Sequence, residues 1–251
     1  VIDGMSILIT GGGSGIGAGT AKYFCERGAR VTIGGRRREK IEAVASSIGP
    51  NCLGIQADVT SAPDRERLVG AAIEHGEGLD ALINNAGNMY RGAVDELDEQ
   101  QLLEVFHTNV IAGMMLTGAC VEALSSRQGA VIFVGSIHNR RAFPGASPYA
   151  ATKGAVETLT RVLAAELGEK KIRVNCVAPG AVLTEINQRA GLVSDEQARE
   201  RLESMVELHA LDRIGTEEEI AEAIAYLVCA GWTTGALLDV DGGLGLGLTK
   251  A

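Results

Sequence analysis

The chain has 251 residues, of which 46% are apolar and 22% charged, enough to bury a sizeable core. Its net charge of −9 argues against a nucleic-acid surface, where phosphates call for a basic face. Five scattered cysteines without a C-x-x-C exclude a disulfide framework, and four histidines without ligand spacing exclude a zinc site.

The chain opens on Val1-Ile2-Asp3-Gly4 with no signal-like segment, so a soluble cytoplasmic protein is expected. Ser6 to Ile9 is a short apolar run that stops at Thr10 and a glycine cluster. Helical spacing follows from Gly15 to Arg27, then a strand at Arg30 to Ile33 and a helix at Glu39 to Ile48. Further strands are expected at Leu53 to Gln56, Ala81 to Ile83, Ala130 to Val134, Ile172 to Val177 and Ala236 to Val240. Between them lie helices at Asp64 to His75, Asp98 to Ser125, Pro148 to Leu167, Ser194 to Leu208 and Glu217 to Val228. The weakly polar run from Val105 to Val121 falls short of the ~20 apolar residues of a membrane span and reads as a buried helix. Alternating strands and helices, with strands as continuous apolar runs, predict an α/β fold. The expectation is a single Rossmann-like domain over residues 1–251: a doubly wound parallel sheet with helices on both faces.

In such sheets ligands bind outside the carboxyl ends of the strands. Those ends carry nearly every unusual cluster in the chain. Thr10-Gly11-Gly12-Gly13-Ser14-Gly15-Ile16-Gly17 lies between the first strand and first helix. Glycines there let backbone N–H groups approach a diphosphate at a helix N-terminus. Gly11, Ser14, Gly15, Ile16 and Gly17 are the candidate contacts. An NAD-selecting Asp or Glu is expected about 20 residues further on. This chain has Gly34-Gly35-Arg36-Arg37-Arg38 instead. A guanidinium pairs with a 2′-phosphate that an acid would repel. NADP(H) is therefore expected over NAD(H), with Arg36 the first contact, Arg37 the second, and Arg38 a solvated charge. Asp58, beside Val59, is placed either to accept from an adenine amino group or to close an ordinary turn with Thr60.

Tyr149 and Lys153 stand four apart at the start of a predicted helix, so they share one face. A cation near a phenol stabilises its anion, which suits the phenol to pass a proton near neutral pH. Ser147-Pro148 reads as an N-cap followed by the first helical position.

With Asn84-Asn85-Ala86-Gly87 the pattern resembles the classical short-chain dehydrogenase/reductase family over the whole chain. The elements fall in the family's order. They are the glycine loop, N-N-A-G, Asn109, Ser136 thirteen residues (149 − 136) before Tyr149, Lys153, Pro179-Gly180 with Thr184, and Asp239 to Gly243. The resemblance implies hydride transfer between a nicotinamide and a carbonyl or alcohol carbon. It implies Tyr149 as general acid/base, Lys153 on the nicotinamide ribose, Ser136 polarising the carbonyl, and Asn109 holding a water in a distorted helix. It also implies Asn85, Ala86 and Gly87 along the adenosine, and Pro179, Gly180, Val182 and Thr184 on the nicotinamide side.

Substrate contacts are expected from His138, Arg140 and Arg141, which either bind an anion or form a solvated loop. Residues 185–213 are expected to be a substrate lid, with Ile186, Leu192 and Met205 as its apolar face. The substrate readings are a 3-oxoacyl thioester and a sugar or other polyol. A nucleotide-sensing regulator on the same fold is the reading from another class. By resemblance a homo-oligomer, usually a tetramer, is expected, with Ile111, Met115, Val156 and Leu163 fitting its interface or the core.

Overall fold

The computed structural model describes residues 1–182, 200 and 204–247. Its strands are β1 (Ser6–Thr10), β2 (Arg30–Gly35), β3 (Cys52–Gln56), β4 (Ala81–Asn84), β5 (Ala130–Val134), β6 (Arg173–Pro179) and β7 (Leu237–Val240). They form one parallel sheet in the order β3-β2-β1-β4-β5-β6-β7. The helices are α1 (Gly15–Cys25), α2 (Arg38–Ile48), α3 (Ala62–Gly76), α4 (Glu99–Phe106), α5 (Ala112–Arg127), α6 (Ser147–Leu167) and α7 (Glu217–Cys229). The predicted strands and most helices are present within a few residues. The expected helix from Ser194 to Leu208 falls mostly outside the described residues, and Val206–Leu208 is a 3-10 turn.

Successive strand residues point to opposite faces, so the all-apolar strands feed two cores. Ile7, Ile9, Ile33, Ile83 and Ile132 pack with Phe24 of α1 and Ile220 and Ile224 of α7. Leu8, Leu82, Val131 and Phe133 pack on the other face with Leu68 of α3, Leu116 and Leu124 of α5, and Val156 of α6. Val156 is thus a core residue, whereas Ile111 and Met115 are exposed.

The sequence order reverses between β1 and β4, and their ends are tied together there. Thr10 Oγ1 accepts from the backbone N–H groups of Asn85 (3.1 Å) and Ala86 (3.0 Å). The Asn85 amide donates back to the carbonyls of Thr10 (2.9 Å) and Gly11 (3.2 Å). Gly11 has φ +68, a conformation that disfavours other residues.

α4 and α5 form one helical run because the turn between them, His107–Ile111, is a π-turn centred on Asn109. The resulting run, Glu99–Arg127, is long and apolar enough to cross a membrane by length and composition, unlike the shorter run read from sequence. One side of it packs on β4, β5, α3 and α6, burying Leu116, Cys120 and Leu124. Ser147 is the first helical residue of α6 and caps nothing; the N-cap is Ala146, so the expected start is shifted by one residue and Pro148 is the second helical residue, still within the first turn.

Gly17 is expected to be intolerant of any side chain. A Cβ there would lie 2.4 Å from the Gly11 carbonyl oxygen and 2.5 Å from Asn85 Nδ2. Gly17→Ala should lower the unfolding free energy by about 1–3 kcal/mol in urea titrations. Gly70→Ala, on α3 with open space around it, should raise it by up to about 1 kcal/mol. Equal effects would refute the packing role of Gly17.

Candidate active site

The strand ends open onto a cavity of about 380 Å³. Gly11, Gly13, Ser14, Gly15 and Ile16 line one end, with Gly35, Arg36 and Arg37 from the β2–α2 turn and Asp58 and Val59 after β3. Ala86 and Gly87 line its middle with Asn85, and Ser136, His138, Tyr149 and Lys153 line the far end beside Pro179, Gly180 and Val182. Thr184 and Ile186 lie outside the described residues, as do Leu192 and most of the expected lid. Met205, also expected in the lid, does line the cavity.

The glycine end is shaped as a cradle. Ser14 is the N-cap of α1 but makes no side-chain cap bond. Its Oγ instead accepts from Arg37 Nη2 at 3.0 Å. The side chain thus leaves the first N–H groups of α1 for an anion, and the helix dipole favours one there. Gly17 is not among the residues lining the cavity, and the structure gives it the close helix–loop packing already described.

Arg36 Nη2 donates to Asn88 Oδ1 at 3.3 Å, a neutral partner. Arg38 pairs with Glu42 on the exposed face of α2, the solvated role expected of it. Asp58 Oδ1 accepts from both Thr60 N–H (2.9 Å) and Thr60 Oγ1 (2.8 Å). That is the turn reading, in a residue that also lines the cavity.

At the far end, Tyr149 and Lys153 are both buried, and Lys153 Nζ lies 5.5 Å from the centre of the tyrosine ring. Lys153 donates to the Val134 carbonyl at 2.7 Å, which fixes it at the end of β5. Ser136 Oγ accepts from the backbone N–H of His138 at 3.3 Å and stands 3.1 Å from His138 Nδ1. The His138 ring meets the Tyr149 ring edge-on, with centroids 5.1 Å apart, and packs on Phe143. Burial, aided by the Lys153 charge, pushes the His138 pKa down to about 4.

Asn109 is buried and its carboxamide is used locally. Oδ1 accepts from the Asn88 N–H (2.8 Å), and Nδ2 donates to the Asn88 carbonyl (2.9 Å) and to Thr152 Oγ1 (3.0 Å). Thr152 Oγ1 in turn donates to the Tyr149 carbonyl at 2.7 Å. The distorted helix is present as expected. Thr152 and Asn88 are residues that sequence reasoning missed. Thr152 directly precedes Lys153 in the Y-x-x-x-K stretch, and that adjacency is the only signal for it.

Arg140 and Arg141, expected beside the substrate, are not among the described residues that line the cavity and are bonded elsewhere. Arg140 Nη1 pairs at 2.8 Å with Glu157, whose buried carboxylate requires a cation, and Arg140 Nε reaches Asp239 at 3.4 Å. Arg141 Nη1 donates to the Leu244 carbonyl at 3.0 Å. Arg91 does line the cavity and was missed; it stands four residues past Gly87.

Comparison with known proteins agrees with this geometry. The family described as Enoyl-(Acyl carrier protein) reductase matches residues 11–245. Glucose 1-dehydrogenase of Gluconobacter oxydans is 35% identical over 255 residues, covering 97% of this chain and 92% of that protein. A short-chain dehydrogenase/reductase of unknown function from Caenorhabditis elegans superposes with a TM-score of 0.93 at 26% identity, covering 98% of this chain and 97% of the other. The 3-ketoacyl-(acyl-carrier-protein) reductase of Brucella melitensis, complexed with NADH, superposes with a TM-score of 0.87 at 30% identity, covering 98% and 100%. The chain belongs to the classical short-chain dehydrogenase/reductase family, and its fold is the family's oxidoreductase fold.

The depressed His138 pKa predicts a pH dependence of stability. Below its ordinary value of 6.5 the unfolded chain takes up a proton that the folded chain resists until about pH 4. The stability contribution is therefore present above pH ~6.5 and lost as pH falls toward 4. His138→Gln should shrink the loss of urea stability between pH 7 and pH 5. An unchanged difference would show that His138 is not buried in its neutral form.

Proposed function

We propose that this protein is an NADP(H)-dependent oxidoreductase that exchanges a hydride between nicotinamide and a carbonyl or alcohol carbon. The observation that carries this reading is one cavity with the glycine cradle and Arg36 at one end and Ser136, Tyr149 and Lys153 at the other. A dinucleotide fits the first end: glycine backbone, an open α1 N-terminus, and no acid at the end of β2. Gly11, Ser14, Gly15 and Ile16 would hold its diphosphate. Arg36 and Arg37 would hold a 2′-phosphate, and NAD(H) is the less favoured alternative. Val59 and Asp58 would flank the adenine, and Pro179, Gly180 and Val182 the nicotinamide side, with Thr184 following in sequence. The bound cofactor supplies or accepts the hydride.

The chain's own residues handle the proton and the oxygen. Tyr149 Oη gives a proton to the carbonyl oxygen in reduction and takes it from the alcohol in oxidation. Lys153, held by the Val134 carbonyl, keeps a positive charge beside that phenol. Ser136 donates to the same substrate oxygen. The His138 N–H, and its Nδ1–H in the neutral tautomer that donates, both point at Ser136 Oγ. The serine's own proton is then left for the substrate. Asn109 fixes Tyr149 through Thr152 and opens the π-turn where a water toward Lys153 can be held.

Two substrate readings have support from relatives: a 3-oxoacyl thioester, from the ketoacyl reductase likeness, and a sugar or polyol, from the glucose dehydrogenase likeness. A nucleotide-sensing regulator has less support, because all four catalytic positions are retained and three line the cavity. Exposed Leu103, Ile111, Met114 and Met115 on the α4–α5 run and Val162 on α6 support a homo-oligomer, a tetramer by resemblance, built on these helices.

Tyr149→Phe should lower kcat by on the order of 10²–10⁴ while NADPH still binds, measured by NADPH fluorescence and oxidation across ketones, acyl thioesters and aldoses. Turnover that survives Tyr149→Phe would remove Tyr149 from its role. Arg36→Ala should cut the NADPH-over-NADH preference in kcat/KM by roughly tenfold; an unchanged preference would sink the cofactor reading.

A further inference from the structure

Arg91 lines the catalytic cavity without a counter-charge. Its Nε is buried with no acceptor, and among the described residues no carboxylate pairs with the guanidinium. The other arginines around the site are engaged: Arg36 with Asn88, Arg37 with Ser14, Arg140 with Glu157 and Asp239, and Arg141 with the Leu244 carbonyl. Among the described residues Asp58 is the one acidic residue in the cavity lining, and it sits after β3 at the glycine end. A long cation that pairs with no carboxylate among the described residues is suited to an anion that arrives with a ligand.

The position of Arg91 separates it from the phosphate cradle. The next residue, Gly92, donates its N–H to the Gly145 carbonyl at 3.0 Å. Gly145 lies two residues before α6, the helix that carries Tyr149 and Lys153. The segment bearing Arg91 is thus fastened to the entrance of the catalytic helix, whereas Arg36 and Arg37 belong to the β2–α2 turn. Met89, Phe143 and Met205 line the same cavity and offer an apolar surface to the rest of a ligand.

We propose that Arg91 is a substrate-recognition residue, and that the substrate class is a carbonyl or alcohol compound bearing an anionic oxygen group, a carboxylate or a phosphate. A guanidinium presents parallel N–H donors that match either group in bidentate fashion. The proposal rests on the oxidoreductase reading above and names the substrate class for that same site. It also gives the cavity the anion specificity that Arg140 and Arg141 do not supply.

The test uses matched probes with saturating NADPH: acetoacetate and levulinate against their methyl esters, and dihydroxyacetone phosphate against dihydroxyacetone. The wild type should prefer at least one anionic probe to its neutral counterpart by roughly tenfold or more in kcat/KM. Arg91→Met should abolish that preference through KM, leaving the neutral probe and NADPH affinity unchanged, and Arg91→Lys should keep part of it. The carboxylate and phosphate arms distinguish the two anions. A wild type that prefers the neutral probes overturns the proposal. So does an Arg91→Met variant that loses acid and neutral probe alike, or that binds NADPH more weakly. If no probe turns over, binding of levulinate and dihydroxyacetone phosphate to the NADPH complex is read by fluorescence. Binding lost in Arg91→Met supports the anion site while the reductase reading fails. No binding overturns the proposal.

Discussion

The Tyr149–Lys153 end of the cavity depends on one buried carboxamide. Asn109 joins three segments that are remote in sequence: the exit of β4 through both backbone groups of Asn88, the α4–α5 run on which it sits, and α6 through Thr152. An amide so placed cannot be replaced by an apolar residue without leaving several buried polar groups unpaired, at about 1–3 kcal/mol each. Asn109 stands within the π-turn His107–Ile111, where the run departs from regular helical hydrogen bonding. Thr152 then passes the constraint to the Tyr149 carbonyl, so the start of α6 is held by the neighbouring α4–α5 run as well as by its own helix.

A second tie works at the other end of the cavity. Thr10 and Asn85 close the gap between β1 and β4, where diverging connections leave a crevice. Because β1 and β4 are also paired along their length, this tie fixes the glycine cradle relative to Gly87. A Cβ at Gly87 would stand 3.3 Å from Asn109 Oδ1 and 3.8 Å from Lys153 Nζ. The glycine-cradle end and the Tyr149–Lys153 end are therefore held by one short stretch, Asn85 to Asn88. Its glycine is what lets Lys153 and Asn109 come so close to the backbone.

Much of this was legible in the sequence, for a physical reason. Strands buried on both faces read as continuous apolar runs, and residues whose spacing matches a helix turn announce a shared face. Tyr149 and Lys153, the glycine cradle and the arginines after β2 are signals of this local kind. What stayed hidden depends on where a side chain turns after leaving the backbone. Thr152 and Asn88 look like ordinary polar residues until α6 and the α4–α5 run are packed together. Asp58 carried two readings because a turn aspartate and a ligand-facing aspartate have the same neighbours in sequence. Arg91 carried no motif; its meaning comes from the absence of a partner, which only the packed chain can reveal.

Arg140 and Arg141 show the same limit from the opposite side. They follow Ser136 closely, and proximity in sequence suggested proximity to substrate. Glu157 decides otherwise. Its carboxylate is buried in α6 with Oε1 unpaired, so the remaining oxygen must hold a cation if the group is to stay ionised. Arg140 is the cation within reach, and bonding it there also brings it to Asp239 of β7. Arg141 continues in the same direction to the Leu244 carbonyl, while Asp241 holds the N–H groups of Gly243 (2.9 Å) and Gly245 (2.7 Å). Leu244 is thereby buried against Ile137 and Ala181 at the edge of the cavity. The charge next to Ser136 is used in fastening the C-terminal segment to the β5–α6 connection, and neither guanidinium is turned to the cavity.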